Sequence, residues 1–467
     1  MTPTIRLGVT GLSRAGKTVF ITALVRNLLA GGRLPFFPVM AEGRFRRAYL
    51  EPQPDDAVPR FPYEDHLAKL AADPPLWPAG TTRISQLRVT IEYDSHKFFR
   101  SLAGKVGAAG PSRLNVDIVD YPGEWIVDLA LLNQDFATWS NRAIVDARAP
   151  DRRTAAREFL GLVEAPAKLA GDVEQVAITG AKLFTRHLAA ARAAAPALSA
   201  LTPGRFLMPG DLDGSPLLTF FPLPETNSND QLRALLTRRY ESYKSQVVRP
   251  FFRDHFARLD RQIVLMDALA ALNRGPHGVK DLADAMALVL EPFRAGARTF
   301  ALNLFRPRID RIVFAATKAD HLNHQSHDRL EKLMRVLANR AILKASDAGA
   351  NVEVLAFAAI RSTREAEMQA GKDKLPCIVG VPMAGEHVGD VTFDGKTETA
   401  LFPGDLPADP SSLLITKAEG GTAADDVRAV TFRPPRLILQ TGGGQAPSPP
   451  HIRLDRALDF LLGDRLR

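Results

Sequence analysis

Cysteine is almost absent from this chain. The single one among 467 residues, Cys377, excludes an intramolecular disulfide framework and any cysteine-rich zinc site. No run approaches the roughly 18 consecutive apolar residues that a membrane span requires. The ten histidines and the scattered acids lack metal-ligand spacing. His321, His324 and His327 recur every third residue, but they open a helical pattern and read as its solvated face. There is no internal repeat. The chain begins directly on an apolar strand, without a basic–apolar–small signal pattern, so a cytoplasmic protein is expected. Hydrophobic content of 46% and charged content of 24% are those of an ordinary globular chain, and 467 residues suggest two or three domains. The net charge of +8 is modest and no recognition module accompanies it, so specific nucleic-acid binding is not expected.

What is present starts near the N-terminus. Gly11-Leu12-Ser13-Arg14-Ala15-Gly16-Lys17-Thr18 is a complete G-x-x-x-x-G-K-S/T phosphate loop. The alternating Ile5, Leu7 and Val9 before it predict a buried strand, and the apolar spacing from Val19 to Leu29 predicts a helix. Glycines let backbone N–H groups of Ser13, Arg14, Ala15, Gly16 and Val19 close on an anion, and the helix N-terminus adds its positive dipole. Lys17 would reach the β- and γ-phosphates, and the Thr18 hydroxyl would ligate Mg²⁺.

Three further motifs decide which nucleotide. The alternation Leu87–Tyr93 and Leu114–Asp120 predicts an antiparallel pair of strands, joined through Gly104, Gly107, Gly110 and Pro111. The second strand ends in Asp120-Tyr121-Pro122-Gly123-Glu124, a D-x-x-G sequence. Asp120 would hold a Mg²⁺-bound water, and the Gly123 N–H would sense the γ-phosphate, which makes the following segment a switch. Thr317-Lys318-Ala319-Asp320, after the apolar run 311–316, fits the N/T-K-x-D pattern of GTPases. Its carboxylate accepts from guanine N1–H and the exocyclic amine, donors that adenine does not offer there. Thr317 closes the strand, and the Lys318 stem would lie along the purine. After the strand 352–357, backbone N–H groups of Ala359 and Ile360 are expected at the base, although Ala358 stands where GTPases carry Ser.

A threonine just before Leu87 should join Mg²⁺ when the γ-phosphate is present. Thr81 and Thr82 are the candidates, with Thr82 preferred. Arg83 and Arg14 are candidate arginine fingers in cis. Glu124 stands where Ras-like GTPases often carry a water-orienting Gln. A carboxylate there would orient water but repel the γ-phosphate, so slow hydrolysis is expected.

Between Glu124 and the strand Gln262–Asp267 lies a stretch far longer than a βαβ crossover, which takes roughly 30 residues. Helical periodicity over 154–165, 172–197 and 230–259 predicts an inserted helical domain. Two more helices are expected at 279–290 and 321–344. Short strands are expected at 388–395 and 428–435, followed by a Gly/Pro/Ser linker at 442–450 and a final helix at 452–462. The expected organisation is therefore a GTPase core in 1–124, 261–370 and 451–467, interrupted by a helical domain at 125–260 and a β-rich insertion at 371–450. Its class is α/β, a mostly parallel sheet with one antiparallel edge strand.

With these residues in place, the chain resembles the YcjX-like family of bacterial P-loop GTPases. The likeness rests on Ser13–Phe20, Trp77-Pro78, Asp120–Trp125, Thr317–Asp320 and Phe402-Pro403-Gly404-Asp405-Leu406-Pro407, and it spans nearly the whole chain. It implies a Ras-like core with a helical insertion, GTP or GDP as ligand with Mg²⁺, and a role in bacterial stress. It also implies a membrane-protein partner and thus a peripheral position at the inner membrane. Effector, exchange factor and oligomeric state are left open, and Phe402–Pro407 has no derivable chemistry. The rival readings are a nucleotide-stabilised scaffold with negligible hydrolysis and, less well supported by Asp320, a P-loop kinase.

Overall fold

The computed structural model describes residues 2–12, 14–95, 111–194, 201–226, 229–289, 309–370, 373–410, 427–439 and 448–467. Ser13, the connection through Gly104, Gly107 and Gly110, the linker residues 442–447 and the tails of two expected helices, 195–197 and 290, lie outside them. By compactness the chain divides into two units. One comprises Met1–Tyr121, Leu259–Lys280 and Arg308–Arg467; the other comprises Pro122–Arg258 and Asp281–Pro307.

The first unit is built on seven strands: β1 (Thr4–Gly11), β2 (Phe45–Leu50), β3 (Ser85–Tyr93), β4 (Ser112–Asp120), β5 (Arg261–Met266), β6 (Arg311–Ala316) and β7 (Asn351–Ala356). They form one sheet in the order β2–β3–β4–β1–β5–β6–β7. β4, β1, β5, β6 and β7 are parallel neighbours, and β3 is antiparallel to both β4 and β2. The expected mostly parallel sheet with its antiparallel edge is therefore what the chain builds. Strands covered on both faces lose the polar half of their alternation, and β5 is accordingly buried along its whole length. Helix α1 (Lys17–Leu29) buries Leu24 and Leu28 in the same core as Leu7 and Val9. The helix Leu454–Leu462 adds Leu454, Leu458, Leu461 and Leu462 to that core.

The expected helix over 321–344 is not continuous. Two 3₁₀ turns precede His327–Leu337, and Ala338 separates it from Asn339–Asp347. His321 and His327 are buried rather than solvated, and His324 alone of the three is exposed.

Later in this unit, β8 (Arg364–Ala370), β9 (Asp373–Gly380), β10 (His387–Val388), β11 (Val391–Thr392) and β12 (Thr399–Leu401) form two small antiparallel sheets, β12–β9–β8 and β10–β11. The expected strand at 388–395 is thus a tight hairpin, because Gly389 turns with φ +57°. The expected strand at 428–435 is instead an extended segment with an isolated bridge between Phe432 and Pro382. Pro434 and Pro435 carry no N–H to extend a ladder. Ile378, Val430 and Phe432 form a small core of their own.

The second unit is helical over its described residues, with Phe136–Arg148, Val173–Ala194 and Asp230–Tyr243 its longest helices besides the shared Gly275–Val289. Trp139 is its hub. Its ring stacks on Tyr240 at 5.1 Å and meets Phe184 and Phe220 edge-on. Asp128, fully buried, accepts from the Gly204 N–H at 2.7 Å, the Arg205 N–H at 3.3 Å and the Tyr243 hydroxyl at 2.6 Å.

Candidate functional site

The phosphate loop leaves β1 at Gly11 and enters α1 at Lys17. A Cβ on Gly11 would lie 2.7 Å from the Leu265 carbonyl oxygen, and Gly16 takes φ +88°, so both positions require glycine. No acidic residue competes in the first turn of α1. Lys17 is buried and donates to the Gly11 carbonyl at 2.8 Å. Arg14, exposed with φ +63°, Ala15, Gly16, Lys17, Thr18 and Val19 all line a cavity of about 620 Å³.

Asp120 ends β4 fully buried beside this loop. Burial pushes its carboxyl up to about 6, against the opposing pull of the Lys17 charge and the Thr81 hydrogen bond. The Thr81 hydroxyl donates to Asp120 Oδ2 at 2.6 Å and lies 3.4 Å from the Thr18 hydroxyl. Asp120 Oδ1 is buried and has no hydrogen-bond partner among the described residues. Two hydroxyls and a carboxylate with an open oxygen are hard donors of the kind Mg²⁺ takes, so the residues fit that ion. The hydroxyl delivered here is that of Thr81, not the preferred Thr82. Thr81 is half-buried and lines the cavity. Thr82 and Arg83 are exposed and are not among the cavity-lining residues.

The cavity's other end is built by the loops after β6 and β7. Thr317 fixes its turn by donating from its N–H and its hydroxyl to the Met266 carbonyl, at 2.8 and 3.1 Å. Lys318 takes φ +61°, and its ammonium pairs with Asp267, whose other oxygen caps the helix Ala268–Leu272. Asp320 is buried, and its Oδ2 accepts from the Ser362 N–H at 2.7 Å and the Ser362 hydroxyl at 2.6 Å. Ala358, Ala359, Ile360 and Ser362 line the cavity with Thr317, Lys318 and Asp320. The serine expected at Ala358 thus has its chemical counterpart four residues on. Ser362 and Thr363 are the first hydroxyls after β7, which is the signal the sequence offered.

Several lining residues carried no nucleotide motif: Trp77, His321, Met383, Glu386 and Thr431. The Trp77 indole N–H donates to the Phe432 carbonyl at 2.7 Å, and the Phe432 ring meets His321 at 5.2 Å, near edge-on.

Gly123 and Glu124 open the second unit, in the short helix Gly123–Val127. The Glu124 carboxylate is largely buried there and pairs with Arg192 at 2.7 Å. The Glu124 carbonyl abuts Gly204, and the Trp125 indole donates to the Met208 carbonyl at 3.1 Å while the Arg205 guanidinium stacks on its ring. The segment that follows D-x-x-G is thus built into the helical unit.

Among the described residues no cluster of His, Cys, Asp and Glu has metal-binding form, and no helix is long and apolar enough to cross a membrane.

The family model described as "YcjX-like family, DUF463" matches residues 5–466. A protein named "Ras-like GTPase YcjX" from Escherichia coli (strain K12) is 34% identical over 99% of this chain and 96% of its own length. Its namesake from Shewanella oneidensis is 33% identical over 99% of this chain and 94% of its own. A solved structure, the signal recognition particle receptor SRb-GTP/SRX complex from Chaetomium thermophilum, aligns with 76% of this chain and 93% of that one. Its 15% identity and TM-score of 0.23 carry no argument. The family model's match over residues 5–466, with relatives 33–34% identical over 99% of this chain, makes the chain a member of the YcjX-like family.

Proposed function

We propose that the chain is a guanine-nucleotide-binding switch that hydrolyses GTP slowly with Mg²⁺. The observation that carries this reading is one cavity with a phosphate loop at one end and Thr317-Lys318-Ala319-Asp320 at the other. Lys17 and the loop N–H groups of Arg14 to Val19, with Ser13, hold the phosphates. Thr18, Thr81 and Asp120 hold Mg²⁺, directly or through water, and the ion offsets charge on the β- and γ-phosphates. Asp320 selects guanine, with Ser362 fixing its carboxylate and Ala359 and Ile360 presenting backbone N–H groups. Gly123 senses the γ-phosphate and passes its state to the helical segment at 125–260. The names of the two relatives agree with this assignment. The stress setting, the membrane-protein partner and a peripheral place at the inner membrane rest on the family likeness.

Calorimetric titration with GDP, a non-hydrolysable GTP analogue and ADP, with and without Mg²⁺, tests the binding. Guanine-selective binding is expected, lost in Lys17→Ala and losing its selectivity in Asp320→Asn. Equal affinity for ADP, indifferent to Asp320, would overturn the reading and favour a kinase or ATPase.

A scaffold with negligible hydrolysis is the second reading, and the Glu124–Arg192 pair favours it, since it engages the carboxylate at the water-orienting position. Single-turnover phosphate release separates the two. If the carboxylate slows the reaction, Glu124→Gln raises the rate; an unchanged rate removes that cause.

A further inference from the structure

We propose that Glu386 is a nucleoside-recognising carboxylate, accepting a hydrogen bond from a neutral N–H or O–H donor at the base-and-sugar end of the nucleotide. This rests on the guanine-nucleotide reading and extends it to the β-rich segment, where no nucleotide motif lies.

Glu386 is half-buried and lines the cavity, yet its carboxylate makes no hydrogen bond or ion pair among the described residues. Its backbone is held firmly. Its N–H donates to the Met383 carbonyl at 3.2 Å, and its carbonyl accepts from Phe393 at 2.9 Å. Met383 in turn donates to the Thr431 carbonyl at 2.8 Å. The segment carrying Thr431 is pinned by a reciprocal pair between the Asn273 side chain and the Ala429 backbone, and by Trp77 on Phe432. An acceptor is thus presented on a preorganised wall.

Position tells which part of a ligand it faces. Glu386 bonds to Met383 and Met383 to Thr431, and the next residue, Phe432, packs its ring on His321 at 5.2 Å, beside Asp320, which puts this wall on the base side. Burial holds the His321 imidazole below its ordinary pKa, so it brings no charge to neutralise the carboxylate. A carboxylate near phosphates would be repelled, whereas guanine and ribose offer neutral donors. Asp320 takes one N–H of the exocyclic amine and leaves the other, and the sugar offers two hydroxyls. A charged acceptor for one of these forms a strong hydrogen bond.

The test is calorimetric titration of the full chain and Glu386→Gln with GDP, 2′-deoxy-GDP, 3′-deoxy-GDP and inosine diphosphate, the last lacking the amine. Glu386→Gln is expected to weaken GDP roughly tenfold or more, and to weaken far less the one analogue that lacks the donor Glu386 uses. Loss of coupling on a deoxy arm assigns the sugar; loss on the inosine arm assigns the amine. Unchanged GDP affinity in Glu386→Gln, or an equal loss for all four ligands, overturns the inference while leaving guanine binding intact. A wild-type chain that binds none of the four overturns the underlying reading as well.

Discussion

Thr81 and Thr82 carry the same hydroxyl, and the path of the chain before β3, not the residue type, brings Thr81 to Asp120. Nothing local to the sequence encodes that path, so which of the two threonines meets Asp120 was not legible. Thr81→Ala is expected to cut the preference for a GTP analogue over GDP in Mg²⁺ about tenfold, in line with a lost hydrogen bond to a charged group. Thr82→Ala should stay within twofold in the same titration. The position of Asp320 at the cavity was legible from four consecutive residues, because the N/T-K-x-D pattern is local. Its supporting hydroxyl was not, since the path of the chain after β7 brings Ser362 to it. Ser362→Ala should cost about 1 kcal/mol of GDP affinity, roughly fivefold, with guanine still preferred over adenine.

At the scale of elements, periodicity revealed those with one exposed and one buried face, such as α1 and Leu454–Leu462. It gave less for the segment after Glu124, whose residues are specified by distant partners. Asp128 shows this: the adjacent Gly204 and Arg205, and then Tyr243, come from two places far along the chain. Burial raises the folded Asp128 carboxyl to about 6, above its ordinary 3.8. The folded state therefore binds this proton more tightly than the unfolded chain. The stability it contributes is fully present below about pH 4 and is lost as pH rises through about 6. Subtracting thermal unfolding curves of Asp128→Asn from wild type between pH 4 and 7 should isolate that slope. A wild-type curve no steeper than the variant's would refute it. Asp128→Ala, which strands three donors, should destabilise by about 2–4 kcal/mol at pH 7, read by denaturant unfolding.

For the whole molecule, the sheet, its antiparallel edge and the family likeness were accessible from linear patterns. The wall formed by Met383, Glu386 and Thr431 was not, because these residues lie in irregular segments outside the strands, where there is no period to read. Ligand binding to the folded chain alone raises its stability by mass action. GDP at 100 times its dissociation constant should add about 2.7 kcal/mol, visible as a rise in the unfolding temperature. Lys17→Ala should abolish that rise.

Of the three tryptophans, Trp125 and Trp139 belong to the helical unit, and Trp139 is sealed in its aromatic core. Trp77 alone lines the cavity, its indole N–H already committed to the Phe432 carbonyl. Should the cavity hold the nucleotide as proposed, the protein carries its own fluorophore at the ligand's edge, in surroundings that binding changes. Its emission should then follow nucleotide arrival and departure in unlabelled protein, in real time, and Trp77→Phe, which keeps only Trp125 and Trp139, should lose the nucleotide-dependent change.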